Sequence, residues 1–407
     1  MKLFSWRKSQ PGAKESVVLE ETGNEYYENI SARLGIAQVI LYLALFAFVI
    51  LAFFSNTSLI TYQNFYHFFQ DLNASAETVD VLQTDSVTYP TSEKQSFALY
   101  RQGLAVAGNH SVTIFTATGR QTVSTTISYQ NPVAVGTGKY LLVYEMGGTQ
   151  YSLYNSNTQM LAAKTDYPII KAAISDSGMF AIVTSAAEYT SSVALYSSRF
   201  ALLNRYNKSG YVMDVAINDG GTRVAILTSS PEGGGFVTDL MIAEPGKSEA
   251  IANTRVSNTL GLSCTLTSTG RIAVLCSGGV AYLSDHGELQ FFHDFEGDII
   301  AAAEVGEEGI VVACKKNEIS EKNIVIVFDK TGKIVYNEVI TEEVGQPARN
   351  GNAVFWVTDE GITRLNLKTG EKKFIECQTD QRVLLAVNET EVLLCSPQKA
   401  IYVDFGS

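Results

Sequence analysis

Four histidines, His67, His110, His286 and His293, are all the imidazole the chain offers. Only His286 and His293 come near a metal-binding pattern, because Asp285 and Asp294 stand beside them and imidazole with carboxylate suits a divalent ion. No HExxH motif, no histidine pair at i and i+4 and no GxSxG elbow occurs, so neither the zinc-protease nor the hydrolase arrangement is present. These histidines therefore read as residues of turns, strand ends and, for His67, the stretch beside an apolar run. The five cysteines, Cys264, Cys276, Cys314, Cys377 and Cys395, form no CxxC pair. Most lie in apolar runs such as "IAVLCSG", "IVVACKK" and "EVLLCSP", where a thiol behaves as a small buried hydrophobe. No catalytic, cofactor or metal residue is assigned, and the chain is read as not an enzyme.

The elements that would position any site are better marked than the site. The chain has 407 residues, 46% hydrophobic and 18% charged, with 32 Gly and 20 each of Tyr and Phe. Aromatic and β-branched enrichment cut by glycine predicts an all-β body. The net charge of −12 argues against nucleic acid, whose phosphates need a basic surface.

"LGIAQVILYLALFAFVILAFF", Leu34–Phe54, is 21 residues without a charge and with Gln38 as its polar side chain. About 20 apolar residues cross the hydrocarbon core as a helix. No small-residue cleavage site follows, so the run reads as an uncleaved signal anchor. Lys2, Arg7, Lys8, Lys14 and Arg33 precede it, whereas the next basic residue after it is Lys94. Excess positive charge marks the cytoplasmic flank, which places the N-terminus inside and the rest outside. The domain expectation is a tail at 1–33, the span at 34–54, an aromatic juxtamembrane helix and linker at 55–77, and an outer domain at 78–407.

Within the outer domain a unit recurs. "AAISDSGMFAIVTS" at Ala172–Ser185 is nearly repeated by "VAINDGGTRVAILTS" at Val215–Ser229. Each is an apolar strand, a polar turn closed by Gly178 or Gly221, and a second apolar strand. Further turns close at Gly103, Gly138, Gly270, Gly309 and Gly351, and Thr390 takes the closing position in the last unit. The intervals run from 35 to 49 residues, with a third and fourth strand after each pair, as in "IVIVFDKTGK" and "IVYNEVIT". A period near 40 with four short strands is the pattern of propeller blades. Eight turns predict a β-propeller of eight blades, with seven the alternative. The last unit stops at its third strand, and "TVDVLQTDSVTYP", Thr78–Pro90, has the alternation to supply the missing fourth.

These units resemble those of the WD40-like and quinoprotein-like propeller superfamily. The layout from about Leu34 onward resembles a family of single-pass membrane proteins of Gram-positive bacteria whose outer domain has no assigned function. The resemblance implies shape and location: a propeller outside the cell membrane. Quinoprotein enzymes repeat a tryptophan in their blade-docking motif, whereas this chain has Trp6 and Trp356 alone, which counts against a quinone cofactor. No cofactor is expected.

Propeller function sits in loops, because the blades hold them in a ring. Three connections between second and third strands read as long: Thr184–Ser192, Ser229–Asp239 and Lys315–Asn323. Tyr189, Glu232, Phe236 and Lys316 on them are the expected partner-binding patch. The reading is a membrane-anchored scaffold or protein-binding module of the cell envelope. A ligand sensor relaying to the cytoplasmic tail is the alternative, and an extracytoplasmic enzyme is a more distant one.

Overall fold

The computed structural model describes residues 34, 38–43 and 46, and then 86–406 apart from 157, 318, 320, 321, 342 and 378–382. Most of the expected span and all of the tail and juxtamembrane stretch lie outside the described residues. Leu34, Gln38–Leu43 and Phe46 are helical, and their apolar side chains are exposed. Among the described residues no helix is long and apolar enough to cross a membrane.

The described residues from Ser86 onward form 32 strands in eight four-stranded antiparallel sheets. Seven sheets take their strands in chain order. The eighth joins Val383–Ala386, Glu391–Cys395 and Lys399–Asp404 to the first of the described strands, Ser86–Thr88. Innermost strands touch their successors around the circle, and Val383–Ala386 returns to Gln95–Tyr100 of the first blade. The fold is an eight-bladed propeller, and closure uses the N-terminal strand expected from Thr78–Pro90. Val87 faces Ala400 in that pairing, and the Tyr89 hydroxyl donates to the Ser396 carbonyl at 2.6 Å.

Eight apolar cores hold the ring, and each lies between two consecutive blades. The second strand of the fifth blade, Ile272–Cys276, shows why such strands are apolar throughout. Ile272, Val274 and Cys276 pack towards the fourth blade, while Ala273 and Leu275 pack towards the sixth. Successive side chains on a strand point to opposite faces, and here both faces are interior. Fourth strands such as Lys372–Glu376 alternate exposed and half-buried residues because they form the outer rim.

The repeated turns occupy equivalent corners between first and second strands. Gly178 has φ of +81° there, a conformation closed to most side chains. Not every closing residue works this way, and Gly138 of the second blade has no positive φ. In the first blade Arg101 and Gln102 carry the positive φ, and Gly103 is required instead because a Cβ would strike the Phe115 carbonyl. In the eighth, Asn388 Oδ1 accepts from the amides of Thr390 and Glu391 and stabilises the turn without glycine.

Candidate functional site

Strand direction alternates within each blade, so the turns after first and third strands emerge on one face of the ring. Turns after second strands, and the connections between blades, emerge on the other. On that second face the second, third and fourth blades present Met146, Tyr167, Ile170, Tyr189, Tyr211 and Phe236, each 38–55% exposed. Met146 and Tyr189 follow second strands, Tyr167 lies in a connection between blades, and Ile170 and Tyr211 stand at the start of innermost strands. Scattered apolar exposure is ordinary, whereas these six fall on three consecutive blades of one face.

The backbone beneath this sector is fixed by bonds between blades. The Gly147 amide donates to Ile169 O at 2.8 Å, and the Ile169 amide donates to Gly148 O at 2.7 Å. Thr190 Oγ1 donates to Ser209 O at 2.6 Å, and the Val212 amide donates to Ser191 Oγ at 3.2 Å. Further on, Thr238 Oγ1 donates to Thr259 O at 2.6 Å. Deeper on the innermost strands, Asp214 joins three blades. Its Oδ2 accepts from Ser263 Oγ at 2.5 Å and from the Cys264 amide at 3.1 Å, while Lys171 Nζ lies 3.4 Å from Oδ1.

Beside Tyr211 a cleft of about 260 Å³ opens between the third and fourth blades, lined by Lys208, Thr228, Asp239 and Met241 among others. Lys208 Nζ stands 3.1 Å from Met241 Sδ. Burial pushes the Lys208 pKa down, and the Asp239 carboxylate opposes that shift. This cleft thus sets a partly desolvated cation between the third and fourth blades, shortly before Tyr211 in the chain.

Of the residues expected from sequence, Tyr189, Glu232 and Phe236 fall on adjacent blades at this face, and Lys316 lies on the sixth blade. Ser229–Asp239 is not a loop. Val224–Glu232 and Gly235–Ala243 stay paired up to Glu232 opposite Gly235, and Gly233 and Gly234 make the turn. Glu232 is held at the tip by Arg255, whose Nη1 and Nη2 donate to its two carboxylate oxygens at 3.1 and 3.0 Å. The other two connections are loops at 186–190 and, among the described residues between Lys315 and Asn323, at 316, 317, 319 and 322. Sequence reasoning missed Met146, Tyr167, Ile170 and Tyr211. The available signal was an aromatic placed just before an innermost strand, as in "TDYPII" and "KSGYVM".

The histidine pair does not assemble. His286 lies in an exposed turn, whereas His293 pairs with Val280 near the other end of the same hairpin and packs on Phe291 and Phe328. Among the described residues no three His, Cys, Asp or Glu side chains are grouped to hold a metal. The five thiols are free, and burial pushes those of Cys276, Cys314 and Cys395 up to about 12.

The fold is a β-propeller, similar in shape to solved WD40 and BamB propellers. The chain belongs to a family of unknown function, DUF5711, whose model matches residues 75–404. Sqt1 of Saccharomyces cerevisiae is similar in structure at 11% identity, with 79% of this chain and 97% of that one covered and a TM-score of 0.57. BamB from Moraxella catarrhalis is similar at 12% identity, covering 79% and 98%, with a TM-score of 0.51. Sqt1 of Chaetomium thermophilum, solved bound to the N-terminus of the ribosomal protein L10, is similar at 10% identity over 78% and 100%, with a TM-score of 0.54. No curated protein matches the chain in sequence.

Proposed function

We propose that the chain is a protein-binding module of the cell envelope, anchored by Leu34–Phe54 and docking a partner through the apolar sector of its second to fourth blades. The observation that carries the reading is that sector: Met146, Tyr167, Ile170, Tyr189, Tyr211 and Phe236 on one face, with bonds between blades beneath them. Large, stiff aromatic side chains give contact area at small entropic cost, which is why they anchor interfaces. A propeller neighbour solved with a bound protein segment supports the class of function. The basic residues before the span and their absence until Lys94 support the outward orientation.

A photo-crosslinking residue in place of Phe236 or Tyr189, in intact cells, should give a discrete protein adduct. The same residue at Glu288, a turn position on the opposite face, should not. Tyr211→Ser should abolish the adduct at position 236 while leaving Tm within about 2 °C, as an exposed substitution should. Equal adducts at both faces, or an adduct indifferent to Tyr211→Ser, would reject the reading.

A further inference from the structure

On the face opposite the apolar sector, a cleft of about 420 Å³ opens between the sixth and seventh blades. Glu304, Glu307 and Glu308 line it against one cation, Arg349. That guanidinium is already engaged: Nη1 donates to Phe328 O at 2.8 Å and Nε donates to Gly351 O at 3.2 Å. Glu304 Oε2 is shut off from solvent and has no hydrogen-bond partner, although its residue lines the cleft. Asp219 from the turn of the fourth blade contacts the Glu307 carboxyl, and Asp176 from the third lies near enough to act on it. Asp176 Oδ1 is likewise buried without a partner. An unpartnered buried carboxylate oxygen is costly, and Glu304 places one in the wall of this cleft, whereas Asp176 packs beside Gly138 of the second blade.

We infer that this mouth binds the cationic side chain of a basic peptide segment, with Glu304, Glu307 and Glu308 lining it and Asp219 beside Glu307. The ammonium or guanidinium supplies the donor that Glu304 Oε2 lacks. A bare metal ion fits less well, because these carboxylates are not grouped as a metal-ligand set.

The electrostatics agree. Burial raises the Glu304 carboxyl to about 8 against the opposing pull of Arg349. Glu307 is raised to about 7 by burial and by Asp219, Asp176 and Glu308. Other charges near the mouth include Lys330, 3.6 Å from Glu308, Asp329, which acts on Arg349, and Glu389, which accepts from Asn352 beside the lining Gly351. A cation that needs Glu304 and Glu307 ionised must displace their protons, so binding tightens as pH rises from 6 to 8.5.

The test is fluorescence anisotropy of a labelled hexalysine peptide titrated with the full chain in mild detergent. The expected result is at least tenfold tighter binding at pH 8.5 than at pH 6. Glu304→Gln combined with Glu307→Gln should weaken binding at least tenfold at pH 8.5 and flatten the pH profile. Glu288→Gln combined with Glu371→Gln removes the same charge from exposed turns and should leave binding unchanged. Tyr211→Ser should also leave it unchanged, so failure here is separable from failure of the docking sector. Equal loss in both double variants, an unchanged Kd in the Glu304 and Glu307 variant, or calcium binding to the mouth in place of the peptide would overturn the proposal.

Discussion

Asp214 shows how one side chain can tie several blades together. Its carboxylate accepts from Ser263 and Cys264 in the next blade, and Lys171 approaches from the preceding one. Asp214→Ala leaves the Cys264 amide and the Ser263 hydroxyl without their acceptor, which should cost about 2–4 kcal/mol in urea unfolding. Glu304 works in the opposite direction. Its folded pKa, about 8, lies above the ordinary 4.5, so its contribution is fully present below about pH 4.5 and is lost as pH rises through 8. Glu304→Gln should therefore stabilise the ring at pH 8.5 by roughly 2 kcal/mol and change it little at pH 4.5, as thermal unfolding at the two pH values would show.

Strands were the most legible elements, and the reason is visible in Ile272–Cys276. An unbroken apolar run bounded by a glycine turn has one stable setting in an all-β chain: interior on both sides. Leu275→Ala, which empties the core between the fifth and sixth blades, should cost about 2–5 kcal/mol, measurable as a shifted denaturant midpoint. The Ser229–Asp239 hairpin was less legible. "SSPEGGGFVTD" carries proline and three glycines, composition that reads as a loop, yet Ser230 and Pro231 pair with Val237 and Phe236 along a protruding edge. Proline is tolerated in edge and protruding strands, where its missing N–H is not needed. Tyr167 and Tyr211 escaped notice because only the ring brings their connections side by side, and the acidic mouth gathers Asp219 and Glu307 from two blades that no local pattern links.

At the scale of the whole ring, two faces have different chemistry: aromatic on one, anionic at the centre of the other. The net charge of −12 favours basic partners in long-range attraction, whereas the aromatic sector should be nearly insensitive to salt. Closure is the other property of the whole. Removing residues up to Pro90 uncovers the Lys399–Asp404 strand along its outer edge. Such a chain should lose at least about 5 °C in Tm and associate through the bare edge, seen as dimers or larger species by light scattering.

That closing pair carries a consequence for synthesis. Tyr89 and Ser396 meet across 307 residues, so Ser86–Thr88 must wait unpaired until the Lys399–Asp404 strand has been made. A nascent chain that stalls, or one clipped by a protease ahead of Lys399, holds blades with no latch. The ring thus locks only in a chain that carries both Ser86–Thr88 and Lys399–Asp404.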